Sequence, residues 1–490
     1  MDSQIRVADA SISALHYIDG ERIGSSDQFE IFSPINGDKL GRISLGQASD
    51  VDLAVNAAAR AFAGWAALGA EGRLPYLQRF ASEILARTQA LAIAEATDAG
   101  VLLSRLQHGL VPRAALNISW FAEAALTLQD RVIETKQARH LVRHDPAGVC
   151  AIITPWNSPL MLSTWKAGPA LAAGNTVVIK PPEWAPLSCS VLADAAHAAG
   201  LPPGVFNVVQ GTGSITGAAL VSHPKLSRIS FTGSVPTAKT VAAAASQNLV
   251  PCSLELGGKS PFIVLEDADL DAAAATGALM YRNATQVCLA GTRFLVHANV
   301  RDAFVDRMHA IVSKLAIGDP RDPATEVGPI IHPRQIEKVA GYVERAKAQG
   351  ATVLWGGDYH EFGDLYYQPT MLTDVSPEAE IVQEEVFGPV LVLQTFDDDA
   401  EAIRLANDTV YGLGGVCYGE ETHATRVAEA VRTGFIWVNS FGIRDLEAPF
   451  GGRGQSGIGR EGGEWSFDFF SDVKDVVIPK QPFTASFSHR

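Results

Sequence analysis

Between residues 149 and 264, short apolar runs alternate with stretches of helical length, and no other feature of the chain constrains its fold as strongly. The runs are "VCAIIT" (149–154), "TVVIK" (176–180), "FNVVQ" (206–210), "RISFTG" (228–233) and "CSLEL" (252–256). Between them lie Ala-rich segments such as "LSCSVLADAAHAAG" and "VPTAKTVAAAASQ". The runs are apolar throughout, as strands covered on both faces must be. Strands separated by helices at a repeat of about 25–30 residues predict βαβ units and a parallel sheet. The expected fold class is therefore α/β, with a Rossmann-like parallel-sheet domain. In such open sheets a ligand sits beyond the carboxyl ends of the strands.

At 490 residues, 47% of them hydrophobic, the chain is too long for one simple core. A second α/β pattern follows the first. Strand-like "RFLVH" (293–297) precedes a helical stretch at 300–315, and "VLVLQTF" (390–396) precedes "DDDAEAIRLAND". "FIWVN" (435–439) is a further strand candidate, and Ala-rich amphipathic helices fill 50–127. The expected division is a cofactor domain from 1–127 and 148–255, and a catalytic domain from 256–455. Segments 128–147 and 470–490, the latter with "DVKDVVIP" (472–479), read as isolated strands outside both cores. They are expected to pair across subunits, because a bare strand edge needs covering.

A net charge of −15 argues against nucleic acid or an anionic membrane as partner. No apolar run approaches the roughly 20 residues that span a bilayer. The N-terminal residues show no basic start followed by an apolar stretch, so a cytoplasmic location is expected. The five cysteines, at 150, 189, 252, 288 and 417, are odd in number and scattered, with no CxxC pair. Neither a disulfide framework nor a metal site is expected.

The residues after the strands carry the candidate chemistry. "PWNSP" offers Asn157, whose side-chain amide could donate to a developing oxyanion or simply shape a turn. "KPPEWAP" places Lys180 and Glu183 at a strand end, either as a solvated loop or as partners of ribose hydroxyls. A carboxylate there would repel a 2′-phosphate and favour NAD over NADP. "GTGSITG" (211–217) is either a turn or a phosphate contact through amides at a helix start. In "ELGGKSP", Glu255 ends a strand, and apolar surroundings would raise its pKa and suit a general base. "NATQVCLAG" holds Cys288; a free cysteine is by default a small core hydrophobe. Glu255 and Cys288 are 33 residues apart, and spacing alone does not bring them together.

Taken in order, "PWNSP", "KPPEWAP", "FTGS", "ELGGKSP", "NATQVC", "EEVFGPV" and "PFGGRGQSGIGRE" resemble the aldehyde dehydrogenase superfamily over residues 155–461. The resemblance implies that family's fold, with an oligomerisation arm, and assembly as a homodimer or homotetramer. It implies Cys288 as nucleophile, Glu255 as general base and Asn157 as oxyanion donor. It implies NAD contacts at Thr154, Pro155, Trp156, Lys180, Glu183, Gly213 and Gly217. Further contacts are implied at Phe231, Gly233, Ser234, Leu256, Glu385 and Phe387. Relatives that pass the acyl group to coenzyme A generally lack the base, so Glu255 favours hydrolysis to the acid. Thr285 departs from the family's usual glycine. Two readings compete: a cofactor-free thiol hydrolase, and a structural protein on a recruited dehydrogenase fold.

"LVPRAALNISWFAE" (110–123) and "FGIRDLEAPFGG" (441–452) look like the subgroup that oxidises hydroxymuconic semialdehydes and their carboxymethyl relatives. There, two arginines hold the substrate's carboxylate and hydroxyl; the matching positions are Arg113 and Arg444. Arg282 is a candidate third cation, with Trp165 and Phe450 as further substrate contacts. Guanidinium grips carboxylate bidentately, so a small-molecule aldehyde bearing an acid is expected. Each arginine could instead be a scaffold residue salt-bridged to Glu123, Asp445 or Glu447. Glu447 stands where the subgroup has a second arginine, which leaves an uncharged aldehyde as the alternative.

Overall fold

The computed structural model describes residues 3–128 and 131–482. Two large sheets dominate it. The first has eight strands in the order Gly457–Ile458, Cys252–Leu256, Arg228–Gly233, Val149–Ile153, Thr176–Lys180, Phe206–Val208, His16–Ile18 and Glu21–Ile23. The five strands from Cys252–Leu256 to Phe206–Val208 run parallel. All five apolar runs of the sequence are thus strands of one sheet. Val149–Ile153, Thr176–Lys180 and Phe206–Val208 are buried along their whole length, which their unbroken apolarity requires. The chain winds one way from Val149–Ile153 to Thr176–Lys180 and the other way to Arg228–Gly233. That reversal opens a crevice at the strands' carboxyl ends.

The second sheet runs Thr352–Trp355, Thr370–Thr373, Val390–Phe396, Arg293–His297, Pro261–Val264, Val416–Tyr418 and Trp437–Val438. All neighbours are parallel except the first pair. The strand expected over 435–439 is only Trp437–Val438. Asn439 turns away at φ 48°, its side chain held by the Gly419 backbone. Only Gly257–Ser260 separate the last parallel strand of the first sheet from Pro261–Val264. The amino edge of the second sheet therefore follows directly on the carboxyl edge of the first.

The buried helix Pro159–Ala173 begins with proline, whose missing N–H costs nothing there. It ends at Gly174, whose φ of 104° suits glycine and whose missing side chain leaves room for Pro146. Trp65 packs beneath it and donates to the Leu171 carbonyl at 3.1 Å.

Arg131–Glu134, Ala138–Pro146 and Ser471–Pro479 form a separate antiparallel sheet. The tail strand, expected to pair across subunits, pairs along one edge with its own chain, in nine-residue register from Ser471 opposite Pro146 to Pro479 opposite Ala138, and its other edge carries no strand among the described residues. Arg228 fixes the start of that strand by donating to the Phe469 and Ser471 carbonyls and to Asp472. Residues 129–130 and 483–490 of the expected arm segments lie outside the described residues. Among the described residues no helix is long and apolar enough to cross a membrane.

Candidate active site

After Val149–Ile153 the chain leaves the first sheet through Thr154, Pro155, Trp156 and Asn157. Thr154 is buried, its hydroxyl 3.3 Å from that of Ser163. Asn157 Nδ2 donates to the Gln286 carbonyl at 2.9 Å, tying the sheet edge to the loop that carries Cys288. That loop is bent sharply. Asn283, Ala284 and Thr285 have φ of 55°, 49° and 55°. Left-handed backbone costs a non-glycine residue about 1–2 kcal/mol. Thr285 thus occupies a conformation that glycine adopts freely. Gln286 holds the bend: its Nε2 donates to the carbonyls of Asn283 and Pro329, and its Oε1 accepts from Ile331 N.

Cys288, Asn157 and Glu255 share a cavity of about 270 Å³ whose walls include Leu256, Trp165, Arg113, Arg444 and Phe450. A second cavity, of about 200 Å³, also reaches Cys288 and Leu256 and is lined by Pro155, Trp156, Gly233, Ser234, Glu385 and Phe387. The thiol stands where the two meet. Burial pushes it up to about 12; the negative charges of Glu385 and Glu255 add to this, and Arg444 opposes it.

Glu255 is buried, and neither carboxylate oxygen has a hydrogen-bond partner among the described residues. Burial holds its pKa well above the usual carboxylate range, and Glu461 adds repulsion. Lys166, Arg444 and Arg460 pull the other way. An unsatisfied carboxylate with a high proton affinity can accept a proton from water.

Glu461 and Lys166 had no role in the sequence reading. Lys166 Nζ donates to Glu461 Oε1 at 2.5 Å, Trp165 Nε1 donates to Glu461 Oε2 at 2.5 Å, and Lys166 also reaches Ser230. The available signal was a lone lysine in the apolar stretch "MLSTWKAGPALAA", since lysine is rarely buried unpaired.

On the cofactor side, Lys180 is buried and donates to the Pro181 and Gly211 carbonyls. Burial lowers it to about 8. Glu183 Oε2 accepts from Gly213 N at 2.8 Å, so one amide of the Gly-rich turn is already taken. Gly217 lies against the Lys180 side chain, and the Phe231 ring leaves no room for a side chain on Gly233. Ser234 Oγ accepts from Thr237 N, capping the helix Val235–Ser246. Glu385 accepts from Gly258 N at 3.0 Å, and burial raises it to about 7. The Phe387 ring meets Trp156 edge-on at 5.3 Å. A cleft with carboxylates at Glu183 and Glu385, a lysine, and exposed glycine backbone between them fits an extended dinucleotide.

Arg444 lies over the rings of Phe450 and Trp165, 3.9 and 4.9 Å from their centroids. Arg113 donates to the Arg444 carbonyl at 3.0 Å and to Asn117 Oδ1 at 3.2 Å. Neither forms an ion pair among the described residues. Asp445 and Glu447 are exposed and outside the cavity wall. Arg282 is also exposed and outside that wall, which corrects its expected place among the cavity cations.

The fold, with a thiol where the two cavities meet, is that of an oxidoreductase. Residues 22–476 match the aldehyde dehydrogenase family, and the chain belongs to that family. It is 40% identical over 481 residues to 2-hydroxymuconic semialdehyde dehydrogenase of Pseudomonas sp. (strain CF600), covering 94% of this chain and 99% of that protein. It is 38% identical over 484 residues to a betaine aldehyde dehydrogenase of Cereibacter sphaeroides, covering 98% and 100%. Among solved structures it is similar to the P. syringae AldA indole-3-acetaldehyde dehydrogenase in complex with NAD+ and IAA. That likeness has a TM-score of 0.94 and 38% identity over 97% of this chain and 98% of the other. The chain is an aldehyde-oxidising enzyme.

Proposed function

We propose that the enzyme oxidises an aldehyde bearing a carboxylate, a semialdehyde acid of aromatic breakdown, to the corresponding acid with NAD as acceptor. The observation that carries the substrate class is Arg444, a guanidinium in the cavity wall beside Cys288 that forms no ion pair among the described residues. Arg113 holds its backbone in place.

Cys288 releases its proton to solvent, and the thiolate attacks the aldehyde carbon, giving the oxyanion of a thiohemiacetal. Asn157 uses one amide hydrogen on Gln286 and keeps a second for the oxyanion. The Cys288 backbone N–H is the other donor. NAD, when bound, supplies the two-electron acceptor that turns this adduct into a thioester. Glu255 then takes a proton from water, which opens the thioester and frees the acid. Lys180, Glu183, Gly213, Gly217, Ser234, Glu385 and Phe387 hold the cofactor.

A cationic substrate such as betaine aldehyde suits this cavity poorly. Aromatic faces can bind a cation, but Arg444 already covers those of Trp165 and Phe450. An uncharged aldehyde is the second reading, favoured by the apolar walls at Met161, Leu162 and Val287. The test compares kcat/KM for a semialdehyde acid with that for its uncharged analogue. The acid should win by at least about tenfold, or roughly 1.4 kcal/mol, and Arg444→Ala and Arg113→Ala should each remove most of that ratio. Equal rates for the two substrates would overturn the reading and leave the dehydrogenase intact.

Assembly as a homodimer or homotetramer through the arm is part of the same proposal. Val132, Val473 and Val477 are exposed there, an apolar surface that association would cover. Light scattering at micromolar concentration that returned a monomer would contradict it. The five free cysteines suit a reducing cytoplasm.

A further inference from the structure

Glu95 has no part in the chemistry above, yet it is wholly buried. It belongs to the helix Thr88–Ala99, whose residues 91–99 are all buried. A carboxyl in such surroundings costs stability unless it is bonded or used. Glu95 Oε2 accepts from Leu160 N at 3.0 Å, and its Oε1 has no hydrogen-bond partner among the described residues. Asp98, one turn further on, is buried in the same way, and its Oδ2 accepts from Leu187 N at 2.8 Å. Each acid thus takes an amide at the start of a helix: Pro159–Ala173 for Glu95 and Leu187–Ala198 for Asp98.

The helix that Glu95 serves is the one that follows Asn157. The first amides of any helix lack partners within it, and Pro159 has none to offer. Ser158 stands at the N-cap position and is of a type that normally caps. Its side chain nevertheless makes no cap bond, and its hydroxyl is buried without a partner among the described residues. The cap comes instead from Glu95, 65 residues earlier in the chain. Without it Leu160 N would be a buried amide with no acceptor, at a cost of about 1–3 kcal/mol. That is enough to shift the helix start until it finds one. Only Ser158 and Pro159 separate Leu160 from Asn157, and the proline fixes its own φ. A shift at Leu160 therefore passes to Asn157. The Asn157 side chain is tied to the thiol loop through the Gln286 carbonyl, so such a shift would also strain that bond.

We infer that Glu95 is a positioning residue for the oxyanion donor. By capping the helix Pro159–Ala173 from outside, it holds Asn157 where the second amide hydrogen meets the substrate oxygen. The inference rests on the reading of Asn157 as oxyanion donor and extends it. Burial raises Glu95 to about 7, so near neutral pH the side chain does not carry a full charge. The bond to Leu160 needs only an acceptor oxygen, which glutamine also has.

The test reads single-turnover NADH formation by stopped flow, with enzyme in excess over hexanal and NAD saturating. Neither thioester hydrolysis nor a substrate carboxylate then enters the rate. Asn157→Ala should slow this step about 10²–10³-fold. Glu95→Met removes the acceptor at similar length. It should slow the step at least about tenfold and leave the dissociation constant of NAD unchanged. Glu95→Gln should stay within about threefold of the wild type. A cap that served stability alone would act alike in every background. Combined with Asn157→Ala, however, Glu95→Met should change the rate less than about twofold, because no donor is left to position. The rate constant reports folded sites only, and Glu95→Leu takes the place of the methionine variant if that one does not fold. Equal losses in the two backgrounds, a wild-type rate in Glu95→Met, or a Glu95→Gln rate as low as that of Glu95→Met overturns the role of Glu95 and leaves the oxyanion reading standing. A wild-type rate in Asn157→Ala removes the oxyanion reading itself, and the role of Glu95 with it.

Discussion

Arg444 and Cys288 each favour the other's charged form: the guanidinium pulls the thiol's pKa down, and the thiolate pulls the guanidinium's up. Burial outweighs this on the sulfur and leaves it at about 12. Deprotonation creates an anion, so alkylation of Cys288 in the cofactor-free enzyme should rise about tenfold per pH unit from pH 7 to 10 without a plateau. Arg444→Ala removes the stabilising cation and should slow alkylation at fixed pH by roughly threefold to tenfold. Peptide mapping of iodoacetamide adducts separates Cys288 from the part-buried Cys252. A plateau near neutral pH would mean that the buried thiol is already ionised.

In the proposed reaction Glu255 is the base of the hydrolytic half-reaction alone. Glu255→Gln should keep one rapid turnover of NADH per site and then stall as thioester accumulates, with steady-state kcat down about a hundredfold or more. Stopped-flow absorbance and intact-mass detection of an acyl adduct on Cys288 check this. Cys288→Ala should give neither burst nor turnover. A steady-state rate close to wild type in Glu255→Gln would assign the base elsewhere.

The Lys166–Glu461 pair tunes that base with opposite signs. In the proposed reaction Glu255 works as the carboxylate, so activity should fall as pH drops through its raised pKa. Lys166→Met removes a cation that lowers this pKa and should move the acid limb of kcat to higher pH. Glu461→Gln removes an anion that raises it and should move the limb to lower pH. Lys166→Met also strands Glu461 and should cost about 3–5 kcal/mol of stability. Urea unfolding of the variants measures that cost, and parallel shifts of both acid limbs would refute the scheme.

Glu183→Ser should narrow the preference for NAD over NADP, because a 2′-phosphate no longer meets a carboxylate. It also frees the Gly213 amide, so KM for NAD should rise several-fold. If the wild type used NADP as well as NAD in steady-state assays, some other residue would have to hold that phosphate.

Thr285→Gly relaxes one of three consecutive left-handed residues and releases a buried hydroxyl without a partner. Relief of about 1–2 kcal/mol is partly offset by the freer unfolded glycine, about 0.4–1 kcal/mol. The variant should melt slightly above the wild type. A lower melting temperature would show that the threonine side chain contributes packing that outweighs its strain.

The parallel strands were legible because burial on both faces leaves unbroken apolar runs, and their carboxyl ends were legible as the place for chemistry. Cys288, Glu255 and Asn157 could be named singly. What joins them is the Asn157–Gln286 bond and the short step between the two sheets, and both are long-range facts that no local pattern encodes. Lys166 and Glu461 are 295 residues apart, so neither stretch reveals the pair. The tail strand was legible as a strand outside both cores, but nothing local reveals that residues 138–146 of the same chain cover one of its edges.

The strand that bears Glu255 is bordered on its outer side by Gly457–Ile458, which pair with Glu255 and Leu254 themselves. On a ribosome the first sheet is nearly complete once residue 256 has emerged, yet that edge stays open while the next 200 or so residues are made. Bare edges invite pairing with other chains, and slow, long-range closure prolongs the exposure. The time for which that edge stays open in synthesis is therefore set by the distance between Glu255 and the two-residue strand Gly457–Ile458. A nascent chain halted just short of residue 457 carries the whole thiol loop with the base strand still uncovered.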